Sequence, residues 1–262
     1  MMYGYLPMNR KMKKIFYLLL FLSFVPALDA EAQFREGASY QELYDSETVT
    51  SMKSHVRTFA SAMLEGRKAG SEGEKMAAEY VTEILEGYGV DVISPEGGEV
   101  FGIRKENGDT LTSRNVVAFV PGYDKNLKDR YIVVGARLDN LGSMTMTVDG
   151  RPVEKILAGA NGNASGLAVM LELARMVQTN SVLFRRSVLF VAFGASTETF
   201  AGSWYFLNRS FVDPENIDAM INLDMLGTGY KGFYAYTSSN ADMNALINGL
   251  TVDLQPVQPE IT

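Results

Sequence analysis

The residues of this sequence that could do chemistry are polar side chains near the ends of short apolar segments. Segments of this kind are typical of strands that are covered on both faces of a sheet. Ligands bind beyond the carboxyl ends of the strands in open α/β sheets, so residues at these positions are expected to share one crevice. The candidate residues are Arg137, Asp139, Asn161, Ser196, Thr197 and Asp224.

The residue types in this candidate set limit the chemistry that it could do. A serine nucleophile needs a neighbouring base, and no histidine lies in the segments that contain Ser165 and Ser196. The only histidine is His55, on an early predicted helix, where a surface or packed role is expected. The glycine-rich stretch Gly159–Gly166 lacks the glycine spacing of a dinucleotide-binding loop and the lysine of a P-loop. Nucleophilic catalysis and phosphate binding are therefore not indicated.

The elements that must position these residues alternate between helices and strands. This alternation predicts a three-layer α/β/α domain with a mainly parallel central sheet. The predicted helices are Ser51–Leu64, Glu74–Glu86, Asn163–Gln178, Ser203–Asn208 and Ala241–Leu250, and the predicted strands are Val90–Ser94, Val100–Arg104, Asn115–Val120, Tyr131–Ala136, Ser187–Phe193, Ala219–Leu223 and Gly232–Tyr236.

Composition excludes several classes of protein. A chain of 262 residues with 47% hydrophobic and 21% charged residues can bury one substantial α/β core. Its net charge of −7 argues against nucleic acid as a partner. It contains no cysteine, which excludes disulfides and thiolate zinc sites.

The amino-terminal residues have the pattern of a secretory signal. Basic residues precede an apolar run, Ile15–Val25, which is too short to span a bilayer, and Ala30-Glu31-Ala32 fits a cleavage site. We therefore predict a signal peptide over residues 1–32, a flexible lead-in over residues 33–48 and a single domain over residues 49–262. The protein is expected to be secreted or periplasmic, in a bacterial cell envelope, without a stable membrane anchor after cleavage.

The segment from about Leu64 to Leu226 resembles the zinc aminopeptidases of metallopeptidase family twenty-eight. The motifs that carry the resemblance are Ala136-Arg137-Leu138-Asp139-Asn140, Ala160-Asn161-Gly162-Asn163-Ala164-Ser165-Gly166, Gly194-Ala195-Ser196-Thr197 and Asn222-Leu223-Asp224-Met225. They keep the order and spacing of the family's motifs. The resemblance implies the zinc-exopeptidase fold, shortened at its C-terminus because the family's late histidine has no counterpart after Asp224.

The same resemblance implies that the metal site is degenerate, because only Asp224 among the ligand positions is of a ligand type. Zinc takes imidazole, thiolate or carboxylate donors, whereas an arginine has no lone pair to donate. We therefore expect no cofactor, although the family uses zinc, and no catalytic residue. We also expect an ion pair between Arg137 and either Asp139 or Asp224. By motif position, Arg137 replaces the first histidine ligand, Asn161 the bridging carboxylate, Ser196 the general-base glutamate and Thr197 a glutamate ligand, while Asp139 matches the carboxylate that orients the first histidine.

Three functions remain open at this point. The first is a secreted, catalytically inactive aminopeptidase-like protein that holds a peptide or protein ligand in the vestigial crevice. The second is an active metal-dependent exopeptidase that releases N-terminal amino acids, with metal bound through Asp224, Asn161 and other residues. The third is a truncated, decaying copy without a role.

Overall fold

The computed structural model describes residues 46–210, 212–227 and 241–246. All of them belong to one compact unit, Tyr44–Thr262. The predicted signal peptide, most of the predicted lead-in and the predicted strand Gly232–Tyr236 lie outside the described residues. Residues 241–246 are helical, as predicted for the last helix. Within the described part of the chain, no helix has the length and apolarity needed to cross a membrane.

The described elements begin with two helices and a run of six strands, after which helices and strands alternate. A 3₁₀ turn at Ala62–Leu64 follows the first helix, and further 3₁₀ turns occur at Ser181–Leu183 and Pro214–Asn216. The helices are α1 (Glu47–Phe59), α2 (Glu72–Gly87), α3 (Ser165–Thr179) and α4 (Ala201–Arg209), and the strands are β1 (Asp91–Val92), β2 (Glu99–Arg104), β3 (Thr110–Val120), β4 (Tyr131–Arg137), β5 (Ser143–Val148), β6 (Arg151–Ile156), β7 (Ser187–Phe193) and β8 (Ile217–Leu223).

The central sheet has the strand order β1-β3-β7-β4-β8, with β2 paired to β3. Strand β4 pairs in parallel with β7 and with β8, as expected for strands joined by helical crossovers. The pairings of β3 with β1, β2 and β7 are antiparallel. The sheet is thus mixed in the described residues, and the prediction of parallel pairing holds for β4, β7 and β8. The short connection between β2 and β3 accounts for one antiparallel pairing, because two strands joined by a hairpin must run in opposite directions.

Helices cover both faces of this sheet, which confirms the three-layer α/β architecture. One hydrophobic core joins α1, α2 and α3 to one face, with Val134 and Phe190 among its buried residues. A second core joins Phe206 of α4 to the other face, where Val133 and Val191 are buried. Neighbouring strand residues alternate between the two cores, because successive side chains of a strand point to opposite faces.

The structure differs from the sequence predictions most clearly in the first helix and in one hairpin. The first helix begins at Glu47 rather than Ser51, because the Ser46 side chain caps it by accepting a hydrogen bond from the Val49 amide. It also ends at Phe59, before the separate 3₁₀ turn. The hairpin of β5 and β6, which pair antiparallel, was not predicted. All of its residues are exposed, although the alternation of polar and apolar residues over Ser143–Val148 and the turn pair Asp149-Gly150 are a hairpin signal in the sequence.

Candidate functional site

Strand β4 lies between β7 and β8, so the segments that follow these three strands meet at one edge of the sheet. Arg137 ends β4 and pairs with Phe193, the last residue of β7. Ala136 pairs with Leu223, which ends β8 directly before Asp224. The structure therefore brings Arg137, Asp224 and the loop after Phe193 to the same crevice.

Arg137 contacts Asp224 across the crevice. Its Nε and Nη2 atoms donate hydrogen bonds of 3.1 and 2.8 Å to the same carboxylate oxygen, Oδ1 of Asp224. The two side chains are 20% and 40% exposed, so solvent reaches this ion pair. Of the two partners expected for Arg137, Asp224 is the one that the guanidinium contacts.

Asp139 is fully buried and binds the loop after β7. Its Oδ1 accepts a hydrogen bond from the Ser196 amide (2.7 Å), and its Oδ2 accepts bonds from the Thr197 amide (2.8 Å) and hydroxyl (2.6 Å). Three donors compensate for the desolvation of this carboxylate. Asp139 thus fixes the backbone that carries the general-base and glutamate-ligand positions.

Asn161 lies in the turn before α3 and binds the segment after β8. Its Oδ1 accepts hydrogen bonds from the Gly227 amide (2.7 Å) and from the Ser165 hydroxyl (3.2 Å). Ser165 in turn accepts a bond from the Leu226 amide, 3.1 Å long. The hydroxyl of Ser165 therefore joins two segments of the site, and Ala164 rather than Ser165 takes the N-cap position of α3.

The polar side chains after β7 are bonded to other parts of the protein. The hydroxyl of Ser196 is buried and donates a hydrogen bond of 3.3 Å to the Phe193 carbonyl. Glu198, the next carboxylate along the chain, forms an ion pair of 3.1 Å with Lys105, the residue directly after β2. Both side chains are therefore bonded to other groups of the protein.

Arg67 is a fully buried arginine that binds the segments next to the crevice. Its guanidinium is fully buried and donates hydrogen bonds to the carbonyls of Leu138, Ala158 and Gly159, each 3.1 Å long, and to the Phe59 carbonyl. Burial lowers the pKa of Arg67 to about 10, and the nearby Asp139 carboxylate acts in the opposite direction. Arg67 therefore connects the end of α1, the segment after β4 and the turn before α3.

Glu74 is a buried carboxyl group next to the loop after β7. Its carboxylate accepts hydrogen bonds from the Ser113 hydroxyl (2.7 Å), the Gly70 amide (2.7 Å) and the Ala195 amide (3.1 Å). Burial raises the pKa of Glu74, and these three donors oppose that shift. The carboxylate holds the Ala195 backbone in place beside the crevice.

Neither Arg67 nor Glu74 was singled out from the sequence as a site residue. Both lie in or directly after the glycine-rich loop Gly66–Gly73, in which a charged residue is ordinarily solvated. The only available signal was the pattern Ser71-x-x-Glu74, which indicates a helix start. Ser71 does accept the Glu74 amide at 3.3 Å, but the Glu74 side chain reaches across to β3 and the loop after β7 instead of back to Ser71. The contacts of Arg67 and Glu74 depend on tertiary packing that has no local pattern.

The donor set at the crevice does not fit a zinc ion. Within the described residues, no group of three or more histidine, cysteine, aspartate or glutamate side chains could hold a metal. The one carboxylate of ligand type, Asp224, is paired with the guanidinium of Arg137. The amide oxygen of Asn161 accepts two hydrogen bonds, and the Thr197 hydroxyl donates to Asp139. Zinc sites need three or four imidazole, thiolate or carboxylate donors, which these residues do not supply.

Residues 115–259 match the model of peptidase family M28, and the chain belongs to that family. It is 30% identical over 141 residues to aminopeptidase YwaD of Bacillus subtilis, a match that covers 52% of this chain and 30% of YwaD. It is 26% identical over 218 residues to leupeptin-inactivating enzyme 1 of Streptomyces exfoliatus, covering 83% of this chain and 44% of that protein. The chain thus spans less than half the length of either relative.

The fold agrees with this assignment. The solved structure of a zinc aminopeptidase from Bacillus subtilis superposes with a TM-score of 0.57 at 17% identity, covering 79% of this chain and 78% of that one. At this level of identity the similarity establishes a shared zinc-exopeptidase fold. The chain is therefore an aminopeptidase-like member of the M28 family.

Proposed function

We propose that this protein is a secreted, catalytically inactive member of the M28 family whose crevice binds a ligand. The observation that carries the proposal is the hydrogen-bonded ion pair between Arg137 and Asp224. It places a permanent cation against the one retained carboxylate of ligand type, where a divalent ion would be repelled. The contacts of Asp139, Asn161 and Thr197 with the protein's own groups support the same conclusion.

The partner we propose for the crevice is a peptide or a protein segment. The guanidinium of Arg137 and the carboxylate of Asp224 are partly exposed, so a peptide's terminal carboxylate or amino group could pair with one of them. Such exchange requires the ligand to compete with an existing ion pair, which favours specific over tight binding. We expect Arg137→Gln to weaken peptide binding measured by isothermal titration calorimetry. Unchanged binding in that variant would place the peptide elsewhere.

Secretion is part of the proposal, and its support is the basic and apolar pattern of residues 10–25 followed by Ala30-Glu31-Ala32. Expression of the full chain in a bacterium with fractionation of periplasm and cytoplasm tests it. We expect the exported protein to begin at Gln33 by N-terminal sequencing. Retention of residues 1–32 on the purified protein would contradict the signal assignment.

The experiment that tests catalytic inactivity is an aminopeptidase assay with a panel of aminoacyl-p-nitroanilides and added zinc, cobalt or manganese. We expect no release of p-nitroaniline above that of a matched Asp224→Asn variant prepared in the same way. The variant removes the retained carboxylate, so it reports the contribution of contaminating peptidases. Activity that requires metal and is lost in Asp224→Asn would overturn the proposal in favour of an active exopeptidase.

The alternative of a decaying copy without a role makes a different prediction. A chain under no selection for folding is expected to be insoluble or to unfold without cooperativity. We expect the purified protein to show a single cooperative transition in urea, as its two hydrophobic cores imply. Loss of a cooperative transition would favour the decaying copy.

A further inference from the structure

The outer edge of strand β5 is open to a further strand. The hairpin of β5 and β6 forms a separate two-stranded sheet, and no third strand of the described residues pairs with it. Every residue of both strands is exposed. A lone two-stranded hairpin is only marginally stable in water, and an open edge presents unpaired backbone donors and acceptors. The hairpin therefore offers a surface for a partner strand.

The base of the hairpin is fixed to the protein, so the two strands form an ordered arm. The Leu157 amide donates a hydrogen bond of 2.8 Å to the Gly142 carbonyl, and the Gly142 amide donates one of 3.0 Å to the Gly66 carbonyl. The Asn140 side chain donates a hydrogen bond of 2.7 Å to the Leu157 carbonyl. The arm joins the segment after β4 to the turn before α3, and both of these border the crevice.

The pairing within the hairpin determines which backbone groups face the outer edge of β5. Asp149 and Gly150 have φ values of 50° and 74°, as in the two-residue turns that suit a hairpin. Pro152 has no N–H and lies opposite Thr147, which fits a pair that exchanges no hydrogen bonds. The pairs of an antiparallel ladder alternate, so the amides of Thr147 and Thr145 both point away from β6.

The two edges of the hairpin differ in chemistry. The edge of β6 contains Pro152 and the charged Glu154, and residues of these types protect a strand edge from pairing. Strand β5, Ser143–Val148, has no proline and no charged residue, and its threonines and valine favour extended strands. An edge without such protection is suited to the addition of another strand.

We propose that β5 pairs antiparallel with β5 of a second copy of this chain, which joins the two hairpins into one four-stranded sheet. The strand has no charge that would repel its own copy, although the whole chain carries a net charge of −7. Pairing about a two-fold axis uses the same edge in both copies. It gives hydrogen-bond partners to the outward amides of Thr145 and Thr147 in each copy. The proposal does not depend on the ligand of the crevice.

The side chains of β5 select one register for this pairing. Met144, Met146 and Val148 share one face of the strand and are 46%, 39% and 50% exposed. A register centred on Met146 places this residue opposite its own copy and Met144 opposite Val148, so every apolar residue has an apolar neighbour. A shift of two residues in either direction leaves Val148 opposite Gly142 or Met144 opposite Gly150.

The proposed contact is small, so we expect a dimer that dissociates on dilution. Ser143–Val148 of each copy is shorter than the roughly 20–30 residues a side of a standard interface. Sedimentation velocity of the purified protein at increasing concentration measures the dimer, with an expected dissociation constant on the order of 10 µM. A parent that remains monomeric at about 50-fold higher concentration would overturn the proposal and leave a different extended chain as the occupant of the edge.

A single introduced cysteine tests the register, because the chain has no cysteine of its own. Met146→Cys places two thiols opposite each other in a pair with Cα atoms about 4.5 Å apart, within the range of a disulfide. We expect mild oxidation to give a disulfide-linked dimer on a non-reducing gel. Val153→Cys is the matched control, because Val153 lies opposite Met146 and is similarly exposed but belongs to β6. Equal cross-linking of both variants would indicate random collision and overturn the proposed pairing.

Two proline substitutions test which edge is used. Thr145 and Glu154 lie opposite each other in the hairpin, and their amides point to opposite edges. Thr145→Pro removes a donor from the β5 edge, and we expect dimerisation to weaken at least ~10-fold. Glu154→Pro makes the same change at the β6 edge and should leave the dimer unchanged. A dimer that Thr145→Pro does not weaken, or that both substitutions weaken equally in variants shown to be folded by urea unfolding, would contradict the proposal.

Discussion

At the scale of single residues, the polar side chains of the crevice are bonded to other groups of the protein. Asp224 is bonded to Arg137, Asp139 to the loop after β7 and Asn161 to Gly227. A carboxylate in a crevice is stabilised by a cation or by several donors, because desolvation otherwise raises its free energy. In the described residues of this chain those partners are groups of the protein itself.

The Arg137–Asp224 ion pair should contribute measurably to stability. We expect Arg137→Ala to lower the free energy of unfolding by about 1 kcal/mol, a modest value because both side chains are partly exposed. Urea denaturation at neutral pH measures the change. Arg209→Ala, at an exposed position at the end of α4, is the control and should change stability less. Equal stability of Arg137→Ala and the parent would show that the cation does not stabilise the crevice.

Arg67 should contribute far more than Arg137, because it is fully buried and bonded to four carbonyls. Lysine keeps the positive charge but cannot reproduce the planar set of five donors. We expect Arg67→Lys to lower the free energy of unfolding by at least ~3 kcal/mol, from unsatisfied carbonyls and a poorly paired charge. Denaturant unfolding tests this, and a loss no larger than that of Arg137→Ala would contradict the assigned role.

The sequence located the crevice residues but not most of their contacts. Arg137, Ser196 and Asp224 were placed together because each follows an apolar strand, and the order of β7, β4 and β8 does bring them to one edge. Arg67 and Glu74 were missed because a buried charge is recognised only by its partners, and those partners lie up to 121 residues away in the chain. Short-range patterns contain no information about such pairs.

At the scale of elements, the three helices on one face are joined by a buried polar cluster around His55. The His55 ring contacts the hydroxyl of Tyr80 in α2 (2.8 Å) and that of Tyr88, the residue directly after α2 (3.1 Å). It also contacts the Ser51 hydroxyl of α1 (3.2 Å). Its Nε2 lies 4.0 Å from the Glu172 carboxylate of α3. The cluster therefore connects α1 to both of the helices against which it packs.

Burial lowers the pKa of His55 below 6.5, and the Glu172 carboxylate opposes this shift. A histidine whose pKa is lower in the folded state takes up its proton first in the unfolded state. Its contribution to stability is therefore present above pH 6.5 and is lost as the pH falls below that value. We expect the stability difference between the parent and His55→Gln to shrink on acidification. Urea unfolding at pH 7.5 and at pH 5.5, about two pH units apart on either side of the ordinary histidine pKa, measures this stability difference. A stability difference that grew at low pH would contradict the lowered pKa of His55.

Glycines in the helices test how closely the layers pack. A Cβ atom at Gly202 of α4 would lie 2.2 Å from the Gly194 carbonyl oxygen, whereas a Cβ atom at Gly87 of α2 would meet nothing within 4 Å. We expect Gly202→Ala to cost about 1–3 kcal/mol through overpacking. Gly87→Ala is the control and should leave stability unchanged or slightly higher. Thermal unfolding of both variants makes the comparison, and equal effects would contradict the close contact of α4 with the loop after β7.

The predictability of an element followed from how it is buried. Strand β7 was predicted at its observed bounds because all of its residues are buried and all except Ser187 are apolar. The exposed hairpin of β5 and β6 was missed even though Ser143–Val148 alternates polar and apolar residues and Asp149-Gly150 is a favourable turn pair. Strand β3 was predicted too short, since only its second half is buried and the first half pairs with β2 at the edge. A continuous run of apolar residues is the clearest strand signal in this sequence, and it marks the strands that form the core.

At the scale of the whole molecule, family membership and function separate. The chain shares its fold and its motif order with M28 peptidases, and residues 115–259 place it in the family. A shared fold determines where the crevice lies. Catalysis depends on the side chains in that crevice, which can differ between members of one family. In the described residues those side chains form an ion pair and hydrogen bonds within the protein, which is why we propose binding rather than hydrolysis.

The measurement that tests this assignment most directly is the zinc content of the folded protein. The protein is purified without chelators, incubated with zinc sulfate, desalted and analysed by inductively coupled plasma mass spectrometry. A variant with Arg137→His, Asn161→Asp, Ser196→Glu and Thr197→Glu restores ligand types at the family positions and is the positive control. We expect the parent to retain substoichiometric zinc and the restored variant to retain more. Stoichiometric zinc on the parent, lost in Asp224→Asn, would contradict the account.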